Sequence, residues 1–308
     1  MRSALADAVR NDLPVPGTGH TRARFDALYQ LGRKDLELTR LAEAHHDARA
    51  IAAELDATLV DDALYGVWAA SGPEPLVAEL RDVGVHVRGV ASWCSGVGIV
   101  DRALVTASGL LLDLPVTSGR PVVDTPQWVS PAFAATNTRS LRFDICLPPD
   151  AIVATADAYL ERPGFWHGAI GVAACWAGGA AGLLDLHQRR WRRQDPHALA
   201  HLGSAHAWVE AMRAVLGAAG DDIDAAPDAV PENQRRARSV RHVIERTCTQ
   251  VVDDLDIGAG PEPLAYDAAI TARTQQLQLY VRQCHGDRDL EPVGRLILDA
   301  RSDRESIT

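Results

Sequence analysis

Ser92-Trp93-Cys94-Ser95-Gly96-Val97-Gly98-Ile99-Val100-Asp101-Arg102-Ala103-Leu104-Val105-Thr106-Ala107 is the stretch on which the reading of this chain turns. Its first half is polar and punctuated by glycine, a tight turn. Its second half is apolar and β-branched, a buried strand leaving through small residues. Trp93 brings a wide stacking face, the Ser95 hydroxyl follows two residues on, and Gly96 and Gly98 let a backbone come close to a partner. Taken alone, a Trp beside a turn is ordinary core, so the segments on either side decide.

Those segments change character in order. From Thr21 to about Asp56, Leu28, Leu31, Leu38, Leu41, His45, Ala48 and Ile51 recur at helical spacing, with Thr21 as a cap after Gly17-Thr18-Gly19. From Tyr65 to Ile145, short runs such as 83–87, 103–106, 110–114 and 141–145 alternate with Gly, Pro, Ser and Asn turns, which predicts an antiparallel sheet or small barrel. Beyond Pro148-Pro149-Asp150 the chain reads as helices over 165–193, 196–219, 232–256 and 266–284. The expected division is a helical segment over 1–64, a β domain over 65–153, a helical domain over 154–298 and a frayed polar tail over 299–308.

Composition narrows the class. The 308 residues are 47% hydrophobic and 23% charged, which is ordinary for a globular protein. A net charge of −10 argues against nucleic acid as the main partner. No uninterrupted apolar run reaches the roughly 18 residues of a membrane span, and Met1-Arg2-Ser3-Ala4-Leu5-Ala6-Asp7 lacks a signal peptide's apolar stretch. Five scattered cysteines form neither a disulfide framework nor a metal motif, so a cytoplasmic location without membrane contact is expected. Two arginine clusters, 189–193 and 235–241, read as solvated helix faces, with capture of a nucleotide's phosphates as the sharper alternative.

The turn at Trp93-Cys94-Ser95, the strand behind it, Tyr65-Gly66-Val67-Trp68 before it and the helix–strand–helix order together resemble the acyl-CoA dehydrogenase family over roughly residues 17–298. The resemblance implies an α+β fold of that kind: a short N-terminal helical part, a β-sheet or barrel middle domain and a C-terminal helical bundle. It implies FAD, with Trp93 and Ser95 against the flavin ring and Val67 and Trp68 along its pyrimidine edge. It also implies α,β-dehydrogenation of an acyl-CoA thioester, in which a carboxylate removes the α proton and the flavin takes the β hydride. A homo- or hetero-oligomer and an electron-accepting flavoprotein partner come with it. The Gly/Ala-rich run 168–182 suits close packing in a bundle or at a subunit interface.

The chain departs from the family's pattern at several positions. Arg282 falls at the common base position, and a guanidinium cannot accept a proton. Leu160-Glu161-Arg162, ten residues before Gly171, matches the second base position, so Glu161 is the carboxylate expected to act; its competing role is a helix cap or surface pair. Arg192-Arg193-Gln194-Asp195-Pro196 stands where the family has Arg-x-x-Phe-Gly, and Leu255 stands for a nucleotide-contacting Gln. His285, in Cys284-His285-Gly286-Asp287, resembles the His-Asp element of the flavin monooxygenase branch, where it would serve as acid or base; otherwise it closes a helix C-terminus with Gly286. Two alternatives to a dehydrogenase follow: a flavin-dependent monooxygenase, or a non-catalytic subunit pairing with an active relative. His197, His201 and His206 lack the glutamate of a metal-binding helix, and no metal is expected.

Overall fold

The computed structural model describes residues 1–70, 72–122 and 127–305. Three helices open the chain: α1 (Arg2–Ala8), α2 (Thr21–Lys34) and α3 (Leu36–Glu54). Eight strands follow: β1 (Tyr65–Trp68), β2 (Val77–Arg81), β3 (Gly84–Cys94), β4 (Arg102–Ala107), β5 (Leu110–Pro115), β6 (Arg120–Pro121), β7 (Arg139–Leu147) and β8 (Ile152–Thr155). Then come α4 (Ala156–Glu161), α5 (Pro163–Arg190), α6 (Pro196–Ala225), α7 (Val230–Ala259), α8 (Pro261–Tyr266), α9 (Ala268–Tyr280) and α10 (Asp287–Glu305). This is the α+β architecture expected from the sequence. Two boundaries differ. The helical run predicted from Thr21 breaks at Asp35, which is extended (φ −154°, ψ 113°), and α10 carries the predicted tail on to Glu305, with the last three residues outside the described ones.

The chain divides into two compact units, and this corrects the expectation of a single N-terminal segment over 1–64. Met1–Val15 and Glu37–Phe165 form the first unit; Pro16–Leu36 joins Trp166 and everything after it in the second.

In the first unit the strands make two four-stranded sheets, ordered β1-β4-β5-β8 and β2-β3-β7-β6. The β1–β4 pair is parallel, because the β2–β3 hairpin intervenes and belongs to the other sheet. Ala48, Ile51 and Ala52 of α3 pack on Tyr65, Leu104, Leu111 and Tyr159. Truncating a fully buried leucine such as Leu104 to Ala would cost about 2–5 kcal/mol. A buried polar network ties the layers together. Asp113 accepts from Arg102 Nε at 2.8 and 3.0 Å and from the Tyr65 hydroxyl at 2.9 Å, while the Tyr65 N–H donates to His45 Nδ1 at 3.1 Å. Burial pushes the Tyr65 phenol up to about 12, so it stays a donor. His45 is thus the hydrogen-bonded core histidine its apolar helix face predicts.

In the second unit α5 lies backbone to backbone on α2. A methyl group at Gly178 would overlap the Tyr29 carbonyl, one at Gly182 the Arg33 carbonyl, and one at Gly32 the Cys175 carbonyl. The small-residue run is therefore used up in packing inside the chain. It is also the one helix among the described residues long and apolar enough to cross a bilayer, but 78% of that window is buried in the fold. Both ends of α2 are held by remote residues. Asp224 accepts from the Gly19 and Thr21 amides at 3.0 and 2.9 Å, and Arg273 donates to the Gly32, Arg33 and Lys34 carbonyls at 3.2, 3.2 and 2.8 Å. Thr21 starts α2 without capping it; its hydroxyl donates to Asp224 at 2.6 Å.

Candidate functional site

At the end of β3 the ladder with β7 slips between Ala91 and Cys94, a β-bulge that turns the chain out of the sheet. Trp93 sits in this bulge at φ 60°, the left-handed region, and its side chain is 63% exposed. For a bulky L-residue that conformation costs energy, and leaving an indole in water forgoes its burial. Strain of this kind is found where the surrounding frame enforces it, and such sites are disproportionately functional. Trp128 stands edge-on to Trp93, ring centroids 6.1 Å apart at 89°, with its own Nε1 donating to the Ala132 carbonyl at 2.9 Å. One face of Trp93 is thereby left as an aromatic platform.

Ser95 lies beside the platform, only 9% exposed. Its hydroxyl is 2.9 Å from that of Thr138, Thr138 is 2.9 Å from the Thr136 hydroxyl, and Thr136 donates to the Phe133 carbonyl at 2.7 Å. The two loops that carry these hydroxyls are pinned to each other. Gly96 N–H donates to Thr136 O at 2.7 Å, and Asn137 Nδ2 donates to Val97 O at 2.6 Å. Phe133 and Asn137 are themselves left-handed, the latter a residue suited to it. Cys94, between Trp93 and Ser95, is buried, and burial pushes its thiol up to about 12, so it is no nucleophile at neutral pH.

Along β1 the structure separates the two expected residues. Trp68 is 4% exposed, with its Nε1 donating to the Ser95 carbonyl at 3.1 Å; its side chain is a strut under the Ser95 turn. Since the Tyr65 amide points away from β4 to His45, alternation puts the Val67 backbone on the same outer edge. That edge borders a narrow cleft closed by Arg40, Leu41 and Ala44 of α3, with Trp68 and Ser95 at its end.

Glu161 is not gathered with these. Glu161 is exposed at the end of α4, which packs by β5 and β8, across the sheet from β1. Its neighbour Arg162 pairs instead with Glu54, at 2.6 Å, and Glu54 also accepts from the Gly164 amide at 2.8 Å. So Glu54, not Glu161, caps α5. His285 belongs to the second unit, exposed before α10, its amide donating to Asp289 at 3.0 Å. Gly286 there precedes a helix and does not end one. Arg282, at the common base position, is ion-paired with the buried carboxylate of Glu245.

The residues matched to the nucleotide-binding pattern are engaged elsewhere. Leu255 is fully buried in the second unit's core. Asp195 caps α6 through the Ala198 amide at 3.0 Å and pairs with Arg193, whose Nη1 also donates to the Gly258 carbonyl. A flavin ring thus fits the Trp93–Ser95 corner, whereas the residues matched to FAD's adenylate contacts do not offer them. Sequence reasoning missed Trp128, Thr136 and Thr138. The Thr136-Asn137-Thr138 triplet marks a turn, but its partner loop lies about 40 residues away, as the Asn137–Val97 bond shows.

No family model matches this sequence, and no curated protein matches it. Solved structures do share its fold. TdsC from Paenibacillus sp. A11-2, in a complex with FMN and indole, superposes with a TM-score of 0.78 at 17% identity, over 91% of this chain and 84% of that one. The 3-HSA hydroxylase from Rhodococcus sp. RHA1 gives 0.73 at 16% identity, over 89% and 82%. The HsaA monooxygenase from M. tuberculosis gives 0.70 at 16%, over 91% and 84%. At such identity the likeness establishes the fold, which is acyl-CoA dehydrogenase-like.

Proposed function

We propose that this protein is a flavin-dependent monooxygenase that works with reduced flavin. The observation that carries the proposal is Trp93: an exposed indole held in a strained bulge, with a hydroxyl two residues on, is a platform for a planar ring. Proteins of the same fold support the oxygenase over the dehydrogenase. TdsC is described as a dibenzothiophene monooxygenase and HsaA as a monooxygenase. The residues here also disfavour α-proton removal, since Arg282 is a paired cation and Glu161 stands exposed away from the Trp93 corner.

A bound reduced flavin supplies the electrons with which dioxygen gives one oxygen atom to a substrate and one to water. The chain's part is to seat the ring on Trp93, hold its edge at Ser95 and the outer backbone of Val67, and keep the hydroxyl network fixed. His285 is the proposed proton carrier. FMN or another flavin without an adenylate requirement suits the site better than FAD, because Leu255 and Asp195 leave that half unsupported. We further propose a homo- or hetero-oligomer, and a monomer by size measurement of the purified protein in solution would refute it.

The test is anaerobic titration with reduced and oxidised FMN and FAD, followed by oxygen uptake with reduced flavin and a panel of aromatic substrates. Binding that is lost in Trp93→Ala, and oxygen uptake without any acyl-CoA, are expected. Tightly bound flavin that acyl-CoA bleaches without oxygen would restore the dehydrogenase. Protein that binds no flavin in either state would point to a non-catalytic subunit.

A further inference from the structure

A cleft of about 130 Å³ in the second unit is lined by the C-terminal half of α2, the last third of α5 and the middle of α6. Leu184 and Val209, each 4% exposed, form its apolar part. Its charged part is two ion pairs. Arg33 donates to Asp185 through Nε at 2.6 Å and through Nη2 at 2.8 Å. Arg213 donates from Nη1 to both oxygens of Glu210 at 3.3 Å. Tyr29 completes the lining; it is 3% exposed, and the Arg213 guanidinium lies 5.9 Å from its ring centroid.

The Tyr29 hydroxyl has no hydrogen-bond partner among the described residues. It is not one of the enclosed, unpartnered atoms of the fold, so it opens on the cleft. Burial pushes this phenol up to about 12, against the downward pull of Arg33 and Arg213, so it keeps its proton and donates. The rest of the unspent hydrogen-bonding capacity is donors as well. A guanidinium has about five N–H groups; Arg33 spends only Nε and one of Nη2 on Asp185, and Arg213 only Nη1 on Glu210. Both carboxylates, by contrast, already accept on each oxygen. A cation would have to displace an arginine to reach one, whereas an oxyanion meets free donors on three side chains.

We propose that this cleft binds a small oxyanion, inorganic phosphate or a short carboxylate, held by Arg33 and Arg213 with the Tyr29 hydroxyl as its buried donor. The space amounts to about four water molecules, which admits a group of that size and excludes a nucleotide. The anion bridges α2, α5 and α6, so it binds the folded second unit and stabilises it.

The test is calorimetric titration of the full chain with sodium phosphate and, separately, sodium propionate, at an ionic strength held constant with sodium chloride. At least one is expected to bind saturably at one site per chain, and the tighter of the two is the chemistry the cleft takes. Tyr29→Phe deletes the donor and keeps the ring; it should raise Kd by about tenfold, the scale of one hydrogen bond to a charged group. Arg213→Gln should raise Kd at least as much. Its side chain is half-exposed, which keeps the test open if Tyr29→Phe does not fold. Arg10→Gln removes an exposed guanidinium of the first unit and should leave Kd unchanged. No saturable binding of either anion, a Kd moved by neither Tyr29→Phe nor Arg213→Gln, or an equal loss in Arg10→Gln overturns the proposal.

Discussion

Replacing Trp93 by Gly and by Ala tests whether the bulge stores strain. A left-handed L-residue costs about 1–2 kcal/mol, and glycine escapes it. Both variants lose the edge-on contact with Trp128, worth about 0.5–1.5 kcal/mol, so that loss cancels between them. What differs is the backbone. Trp93→Ala keeps the φ of 60° and its penalty. Trp93→Gly removes the penalty but gives back about 0.5–1 kcal/mol in chain entropy. Glycine should therefore be the more stable of the pair by about 1 kcal/mol, the reverse of their order at an ordinary strand position. In urea, followed by far-UV circular dichroism, that is a midpoint higher by about 0.3 M for a slope near 3 kcal/mol/M. Neither variant should bind flavin. An alanine variant as stable as the glycine one would show that Trp93 is not held in the left-handed region, and the argument for the platform would fall.

Two further predictions concern the frame. His187 is 2% exposed and burial holds it down at about 4, against a smaller upward pull from Asp267. Its contribution, about 3 kcal/mol, is complete above the unfolded value near 6.5 and is lost as pH falls towards 4. Asp256 has the opposite sign: burial, helped by Asp253, raises it to about 6, so its contribution is present below about 4 and lost as pH rises through 6. Melting temperature between pH 4 and 7 should fall less on acidification in His187→Gln and more in Asp256→Asn; parallel profiles would refute both assignments. Glu54→Ala should destabilise by about 3 kcal/mol, because it strands Arg162 and uncaps α5. Glu161→Ala should stay within about 0.5 kcal/mol, and equal effects in denaturant would show the two carboxylates' roles to be misassigned.

The parts of the fold legible in the sequence are those whose signal is local. β4 and β5 lie within two residues of the apolar runs that predict them, and α5, α6 and α7 start at or next to prolines. The break at Asp35 was hidden because Leu28, Leu31, Leu38 and Leu41 keep helical spacing across it. What ends α2 is Arg273, about 240 residues away, and periodicity carries no trace of such a partner. The division into two units was illegible for the same reason, since α2 joins the bundle through Asp224, Arg273 and the glycines of α5. At the site, Trp93 and Ser95 could be named from motif. Trp68 could not be told from a ligand contact, because its role depends on where the Ser95 carbonyl ends up.

That dependence also explains how a strained tryptophan persists. A bulge with one left-handed residue would relax if its neighbours were free, and here they are not. Trp68 holds the Ser95 carbonyl from below, the Thr136 carbonyl holds the Gly96 amide, and Asn137 holds the Val97 carbonyl. Each bond is worth about 1 kcal/mol, and together they exceed the roughly 1–2 kcal/mol that relaxation at Trp93 would return. The same bonds fix the loop that presents Thr136 and Thr138 to Ser95. Stability of the turn and placement of the Ser95 hydroxyl therefore come from one set of contacts. It follows that Asn137 and Trp68 set the geometry of the turn that carries Trp93 and Ser95.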